Sequence, residues 1–202
     1  MDANQDTLSN PFGMDEDCRN CPALCESRER VVHGFGDVSA EFLVVGEAPT
    51  AAADTTGIPF AGGPVLSLLE RLGLVDRSGE EPAPENAFLT HLTRCHHPER
   101  PPEEEEVTNC EPYLNGELRM INPEILIPVG ERVLRSLAFE YTTRSPGEFD
   151  IDRDHATPIR GRGFELVALH PDPDEAQREA FLAAMDDLMD RDYRQTKGRR
   201  GR

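Results

Sequence analysis

Lysine is nearly missing from this chain: of its 21 basic residues, only Lys197 is a lysine. Positive charge as a whole is scarce. The 39 acidic residues leave a formal net charge of -18, and the pI is about 4.6. Such a surface excludes a global field that draws in nucleic acid, so any such contact must come from a local patch. It suits a protein that stays soluble in concentrated salt, a halophilic surface. There the Debye length is about 3 Å at 1 M, and repulsion between carboxylates is muted. The rival reading is a protein that avoids nucleic acid or binds a basic partner. No apolar stretch approaches the roughly 20 residues of a membrane helix, so no membrane partner is expected. Met1 to Phe12 is polar and acidic, unlike a signal peptide. The chain has only five cysteines and no export signal, which points to a reducing, cytoplasmic setting. There, cysteines serve as metal ligands or reactive thiols rather than as disulfides.

What is present is enough chain, 202 residues, for one domain with a full core. Its organising stretch is 42–63. Phe42 to Val45 read as a short buried strand that stops at Gly46. A loop follows with two carboxylates, Glu47 and Asp54, and with Phe60 locked behind Pro59. A helix then starts near Pro64 and runs through Leu72. Strand, acidic loop and helix form the unit in which α/β proteins place chemistry, at the carboxyl ends of their strands. Further strands are expected at 87–92, 124–129 and 164–169, the last ending in His170-Pro171. Helices are expected at 103–121, 131–138 and 174–192. Residues 140–163, rich in Arg, Asp, Gly and Pro, read as a long surface connection. Alternating strands and helices predict an α/β fold, a three-layer αβα arrangement around a four-stranded parallel sheet. Residues 1–17 read as disordered, 18–190 as the single domain, and 191–202 as a disordered tail. That tail holds six basic residues against one acid, so it is either a solvated end or an electrostatic foot on nucleic acid.

Cys18-Arg19-Asn20-Cys21 brings two thiols onto one turn, with Cys25 four residues on. Cys95 ends the second strand region. Cys110 lies on the helix behind the proline-rich loop His96 to Pro102. Four thiolates from two regions suit tetrahedral zinc or a [4Fe–4S] cube, and spacing alone does not choose. His96 and His97 read as solvated loop histidines, and Glu103 to Glu106 as a solvated helix start at the positive end of its dipole.

Together, Gly46-Glu47-Ala48-Pro49, Gly57-Ile58-Pro59-Phe60 with Gly62, the spaced cysteines, Pro112-Tyr113-Leu114, Pro123-Glu124-Ile125-Leu126 and His170-Pro171 form a joint pattern. It resembles the family 4, iron–sulfur uracil-DNA glycosylases, from about Cys18 to Pro171. The resemblance implies an enzyme of base excision repair. It would excise uracil, or a related deaminated base, from DNA by hydrolysing the N-glycosidic bond, and it would act as a monomer. It implies a structural [4Fe–4S] cluster on Cys18, Cys21, Cys95 and Cys110, with Cys25 spare and zinc as the lesser alternative. It implies that the target nucleotide flips into a pocket at the strand ends. Phe60 would stack on the base there. Gly46, Glu47 and Ala48 would line the pocket and the attacking water. His170 would stabilise charge on the departing base.

Three places depart from the family pattern. Thr50, Ala51, Ala52 and Ala53 stand where the family has a glycine and glutamates, so the catalytic work of activating water falls to Glu47 or Asp54. His91 stands where an asparagine usually reads the uracil edge; neutral imidazole also offers one donor and one acceptor, in a different geometry. Asp172-Pro173-Asp174-Glu175 replaces an aromatic-led, DNA-facing loop with an acidic one. These departures keep a second reading open, an iron–sulfur nucleic-acid-binding member of the superfamily without turnover. A zinc-stapled interaction module is a third.

Overall fold

The computed structural model describes residue 4 and residues 6–191 of the chain. Its elements in order are α1 (Pro22–Ser27), β1 (Phe35–Gly36), β2 (Phe42–Gly46), α2 (Ala51–Thr56), α3 (Val65–Arg71), β3 (Val75–Asp76), β4 (Ala83–Pro84), β5 (Ala87–His91), α4 (Glu104–Ile121), β6 (Ile125–Pro128), α5 (Glu131–Tyr141), α6 (Ile151–Asp154), β7 (Pro158–Arg160), β8 (Glu165–Val167) and α7 (Glu175–Asp190). The main sheet runs β1-β5-β2-β6-β8-β7. Its four inner strands, β5, β2, β6 and β8, are parallel.

The inner strands are apolar on both faces, as strands covered by helices on each side must be. Phe42 and Val44 of β2, with Leu89, Ile125 and Ile127, face one core, where α3 and α7 contribute Leu68, Leu69, Phe181 and Met185. Leu43 and Val45, with Phe88 and Leu126, face the other, where α4 and α5 contribute Leu114, Leu118, Val133 and Leu134. This is the three-layer αβα arrangement. No helix among the described residues is long and apolar enough to cross a membrane.

The sheet is wider than four strands. β1 and β7 add an antiparallel strand at each edge. Both are short, and β7 begins with a proline, so neither carries a strong sequence signal. The stretch 140–163 is not a plain connection: it holds the end of α5, a 3-10 turn at Pro146–Glu148, α6 and β7. Likewise the loop after β2 contains α2, capped by Thr50 through its bond from Ala53 N at 3.0 Å. Within the segment read as disordered, Phe12 and Met14 are buried in the second core, and the Phe12 ring lies 5.8 Å from that of Phe88. The tail 192–202 lies outside the described residues.

A buried ion pair ties the layers together. Arg94, just past β5, holds Glu117 of α4 with two bonds of 2.8 Å, and Thr90 adds a third at 2.7 Å. The two side chains are 2% and 1% exposed. Gly34 is required beside them: a Cβ there would lie 2.2 Å from Glu117 Oε1 and 2.4 Å from the Phe88 ring. Removing one charge strands the other in an apolar interior. Glu117→Leu is therefore expected to cost about 3–5 kcal/mol in urea unfolding. The double change with Arg94→Met should recover most of it. A double variant no more stable than the single one would refute this assignment.

Candidate functional site

The parallel strands end side by side. The ladder continues for a residue or two past them, which fixes where each loop departs. Leu92 N bonds Gly46 O at 2.8 Å, Thr93 N bonds Glu47 O at 3.1 Å, Val129 N bonds Val45 O at 2.8 Å and Gly130 N bonds Leu169 O at 2.9 Å. Gly46, His91, Gly130 and His170 thus stand in a row along the carboxyl edge of the sheet, where α/β folds place ligands.

Three of the expected residues meet directly. The rings of Phe60 and His91 stack with centroids 4.7 Å apart and planes tilted by 34°. Gly46 lies against both: a Cβ there would come within 2.5 Å of His91 Cδ2 and 2.8 Å of Phe60 Cε1. Phe60 itself has φ of 63°, a left-handed conformation that costs a non-glycine residue about 1 kcal/mol or more. Its ring position is therefore held by the surrounding packing rather than by local preference. His91 is fully buried, its Nδ1 makes no hydrogen bond among the described residues, and burial together with nearby Arg94 pushes its pKa down to about 3. The ring is neutral at ordinary pH, with one nitrogen donating and one accepting.

Glu47 and Ala48 follow Gly46 and line a small cavity with Pro49, Cys95, His96 and Pro102. Glu47 is partly exposed, and Arg132, on α5, approaches its Oε1 at 3.2 Å. Arg132 also bonds Glu104 Oε1 at 2.7 Å and the Pro102 carbonyl. No sequence signal marked Arg132, because its partners come from two stretches far from it in the chain, Glu47 and the Pro102–Glu104 segment. His96 is tied to the same loop, with Nδ1 2.8 Å from Pro49 O, so it is not merely solvated. Glu106 is not merely solvated either: it is buried, and Arg100 holds it with bonds of 2.8 and 2.7 Å.

Asp54, the other carboxylate expected to activate water, is engaged by backbone groups. It sits on α2, buried, and its carboxylate accepts Glu29 N at 2.8 Å and Arg30 N at 3.3 Å. Both oxygens brace the chain after α1, whereas Glu47, at the strand ends, is partly exposed and is approached by Arg132 at one oxygen, Oε1. His170 lies two strand spacings from Gly46, about 10 Å. Its Nδ1 accepts Asp172 N–H at 3.2 Å, and its Nε2 is 3.8 Å from Asp152 Oδ1. The acidic loop behind it has a local use, since Asp174 caps α7 by accepting Gln177 N at 2.8 Å.

The cysteines gather at one end of the molecule. Cys21 and Cys95 pack around Leu24, and Cys110 is also buried. Arg28 Nη1 bonds Cys95 Sγ at 2.9 Å, and Asn109 Nδ2 bonds Cys21 Sγ at 3.5 Å. Burial pushes the Cys95 thiol up to about 11 against the opposing pull of Arg28, and it raises Cys21 and Cys110 as well. Arg28 also bonds the Cys18 carbonyl, and Asn109 directly precedes Cys110, so the set shares one neighbourhood. Among the described residues, no three His, Cys, Asp or Glu stand close enough around one point to hold a single metal ion. In donor chemistry the set fits a soft, positively charged centre. It offers four sulfurs, three of them buried, with N–H groups aimed at two.

Residues 33–189 match the profile of the uracil DNA glycosylase superfamily. The type-4 uracil-DNA glycosylase of Saccharolobus solfataricus is 38% identical over 118 residues, 56% of this chain and 50% of that protein. The type-4 uracil-DNA glycosylase of Sulfurisphaera tokodaii is 33% identical over 152 residues, 73% of this chain and 61% of that protein. The matched segments thus span between half and two thirds of these relatives. The type-5 uracil-DNA glycosylase of Thermus thermophilus is 30% identical over 200 residues, 83% of this chain and 90% of that protein.

The buried neutral His91 makes the fold acid-sensitive. Its folded pKa of about 3 lies below the ordinary value of 6.5, so between those pH values the unfolded chain binds a proton that the fold excludes. Stability should then rise with pH across that window and fall as pH drops through it, by at most about 1.4 kcal/mol per pH unit. His33, buried and lowered to about 4, adds to the same trend. Urea midpoints measured against pH should flatten in His91→Phe; an unchanged slope would show that the ring is not buried neutral.

Proposed function

The chain belongs to the uracil DNA glycosylase superfamily, and on that premise we propose that it excises uracil or a related deaminated base from DNA. The contact of Phe60, His91 and Gly46 at the strand ends carries this reading. A planar base extruded from the DNA needs an aromatic face to stack on and a polar edge to read it, at little cost in ordering. Phe60 supplies the face, and the neutral His91 ring supplies the edge, with Gly46 allowing the close approach.

Bond cleavage leaves positive charge on the sugar and negative charge on the base. Glu47 accepts a proton from a water molecule as that oxygen bonds to C1′ of the sugar, and the bonding pair of the N-glycosidic bond leaves with the base. Arg132 holds the Glu47 carboxylate in place at 3.2 Å. His170 bears its proton on Nε2, since Nδ1 accepts from Asp172 N, and that N–H, 3.8 Å from Asp152 Oδ1, would turn to the oxygen on which the base gathers charge. A donor preset toward developing charge is worth about 10²–10³ in rate. Asp54 takes no part in the chemistry.

Cys18, Cys21, Cys95 and Cys110 would hold a [4Fe–4S] cluster, whose contribution is to tether the N-terminal segment to the loop after β5 and to α4. Arg28 and Asn109 would donate to its sulfur ligands. The carboxylate-rich surface supports work in concentrated salt, where repulsion between protein and DNA is screened within a few ångströms.

Base release from a uracil-containing oligonucleotide in high potassium chloride tests this reading. Phe60→Ala and His170→Ala should each slow release by about 10² or more, and wild-type rates in both would remove the pocket assignment. Iron content and visible colour test the ligands. Cys95→Ala should be colourless and poorly folded, while a brown, stable product would mean a different ligand set.

A further inference from the structure

His170 is held by a second histidine that lies in the stretch read from sequence as a surface connection. His155 follows α6 and bridges to Ala168 beside β8, with Ala156 N bonding Ala168 O at 2.8 Å. Its Nδ1 lies 3.0 Å from the backbone N of His170, and its Nε2 lies 2.8 Å from the backbone O of Gln177 in the first turn of α7. A backbone N–H only donates and a carbonyl only accepts. Both bonds can form in only one state of the ring, neutral with the proton on Nε2. The Phe181 ring, 6.4 Å away and tilted by 31°, covers one side.

The segment between these two bonds is short and poor in donors. Pro171 and Pro173 have no N–H, so Asp172 supplies the one backbone donor between His170 and Asp174, and it goes to His170 Nδ1. His155 therefore pins both ends of a strap: the backbone of His170 at one end and Gln177 at the other. The strap in turn fixes the tautomer of His170 and the direction of its Nε2–H.

We propose that His155 is a positioning residue for His170, setting the backbone from which the base-facing donor projects. This rests on the reading of His170 as that donor. His155 does not touch the substrate. Its effect should therefore fall on kcat, where the aim of a donor matters, rather than on KM. Small misplacements of a reacting group cost up to about 10² in rate.

Three substitutions separate positioning from general packing. The side-chain oxygen of His155→Asn reaches where Nδ1 stood and can accept from His170 N. The amide of His155→Gln reaches where Nε2 stood and restores only the bond to Gln177. His155→Leu restores neither. Base release should show kcat about tenfold or more lower in the Leu and Gln variants, with KM within about twofold, and recovery toward wild type in the Asn variant. In parallel, the imidazole ¹⁵N shifts of His170 should report a single Nε2–H tautomer in the wild type and the Asn variant, and a mixture in the other two. Equal kcat in the Asn and Gln variants, or an unchanged His170 tautomer in the Leu variant, would overturn the proposal. If the Leu variant fails to fold, the Asn and Gln pair decides alone. Wild-type turnover in His170→Ala would instead sink the reading of His170 as donor, with the ¹⁵N pattern still deciding whether His155 positions it.

Discussion

The ion pair between Arg94 and Glu117 is the constraint around which the molecule closes. Desolvating two charges is expensive, and only near-ideal bidentate geometry with further hydrogen bonds offsets it. The geometry here is of that kind, with two bonds of 2.8 Å and a third from Thr90. Three residues before Arg94 stands His91 of the aromatic contact, and directly after it stands Cys95. Glu117 sits two turns beyond Cys110 on α4. The pair therefore joins the strand that ends in the Phe60–His91 contact to the helix that carries Cys110. Arg94 also reaches the Tyr113 ring at 5.8 Å, and its charge helps to keep His91 neutral. The Phe60–His91 contact, the ion pair and the cysteines form one connected unit rather than three features.

The carboxyl edge of the sheet divides its labour between charge and packing. At one side, the rings of Phe60 and His91 pack together, a contact that Gly46 allows. Beyond them, Glu47 is a partly exposed carboxylate, steadied by an arginine that also reaches Glu104 and the proline loop. At the other side, two histidines and a strap with alternating prolines fix one N–H. None of these parts needs the overall negative charge of the protein, which belongs to the solvent-facing surface.

The family pattern was legible because its pieces are contiguous: a run of four apolar residues, Gly46-Glu47-Ala48-Pro49, Pro59-Phe60, and His170-Pro171. The four inner strands were legible for the same reason, since strands buried on both faces are apolar without a break. The edge strands β1 and β7 were not. They are two and three residues long, and what makes them strands is a neighbour to bond to. The bracing contacts of Asp54 were not legible because its partners, Glu29 N and Arg30 N, are backbone groups that no side-chain pattern reveals. Arg132 and His155 were invisible for a related reason. Each acts on residues 15 to 85 positions away, and neither sits in a recognisable motif.

By itself, the sequence determined the class of fold, the family, the order of the pocket segments and the number of thiols, because hydrophobic periodicity and short motifs are local properties of the chain. Only the tertiary structure decided which carboxylate is engaged by backbone groups, which imidazole is driven neutral and what holds the backbone of His170 in place. Those outcomes depend on desolvation and on hydrogen bonds between distant segments. Burial and partners of that kind do not exist until the layers have closed.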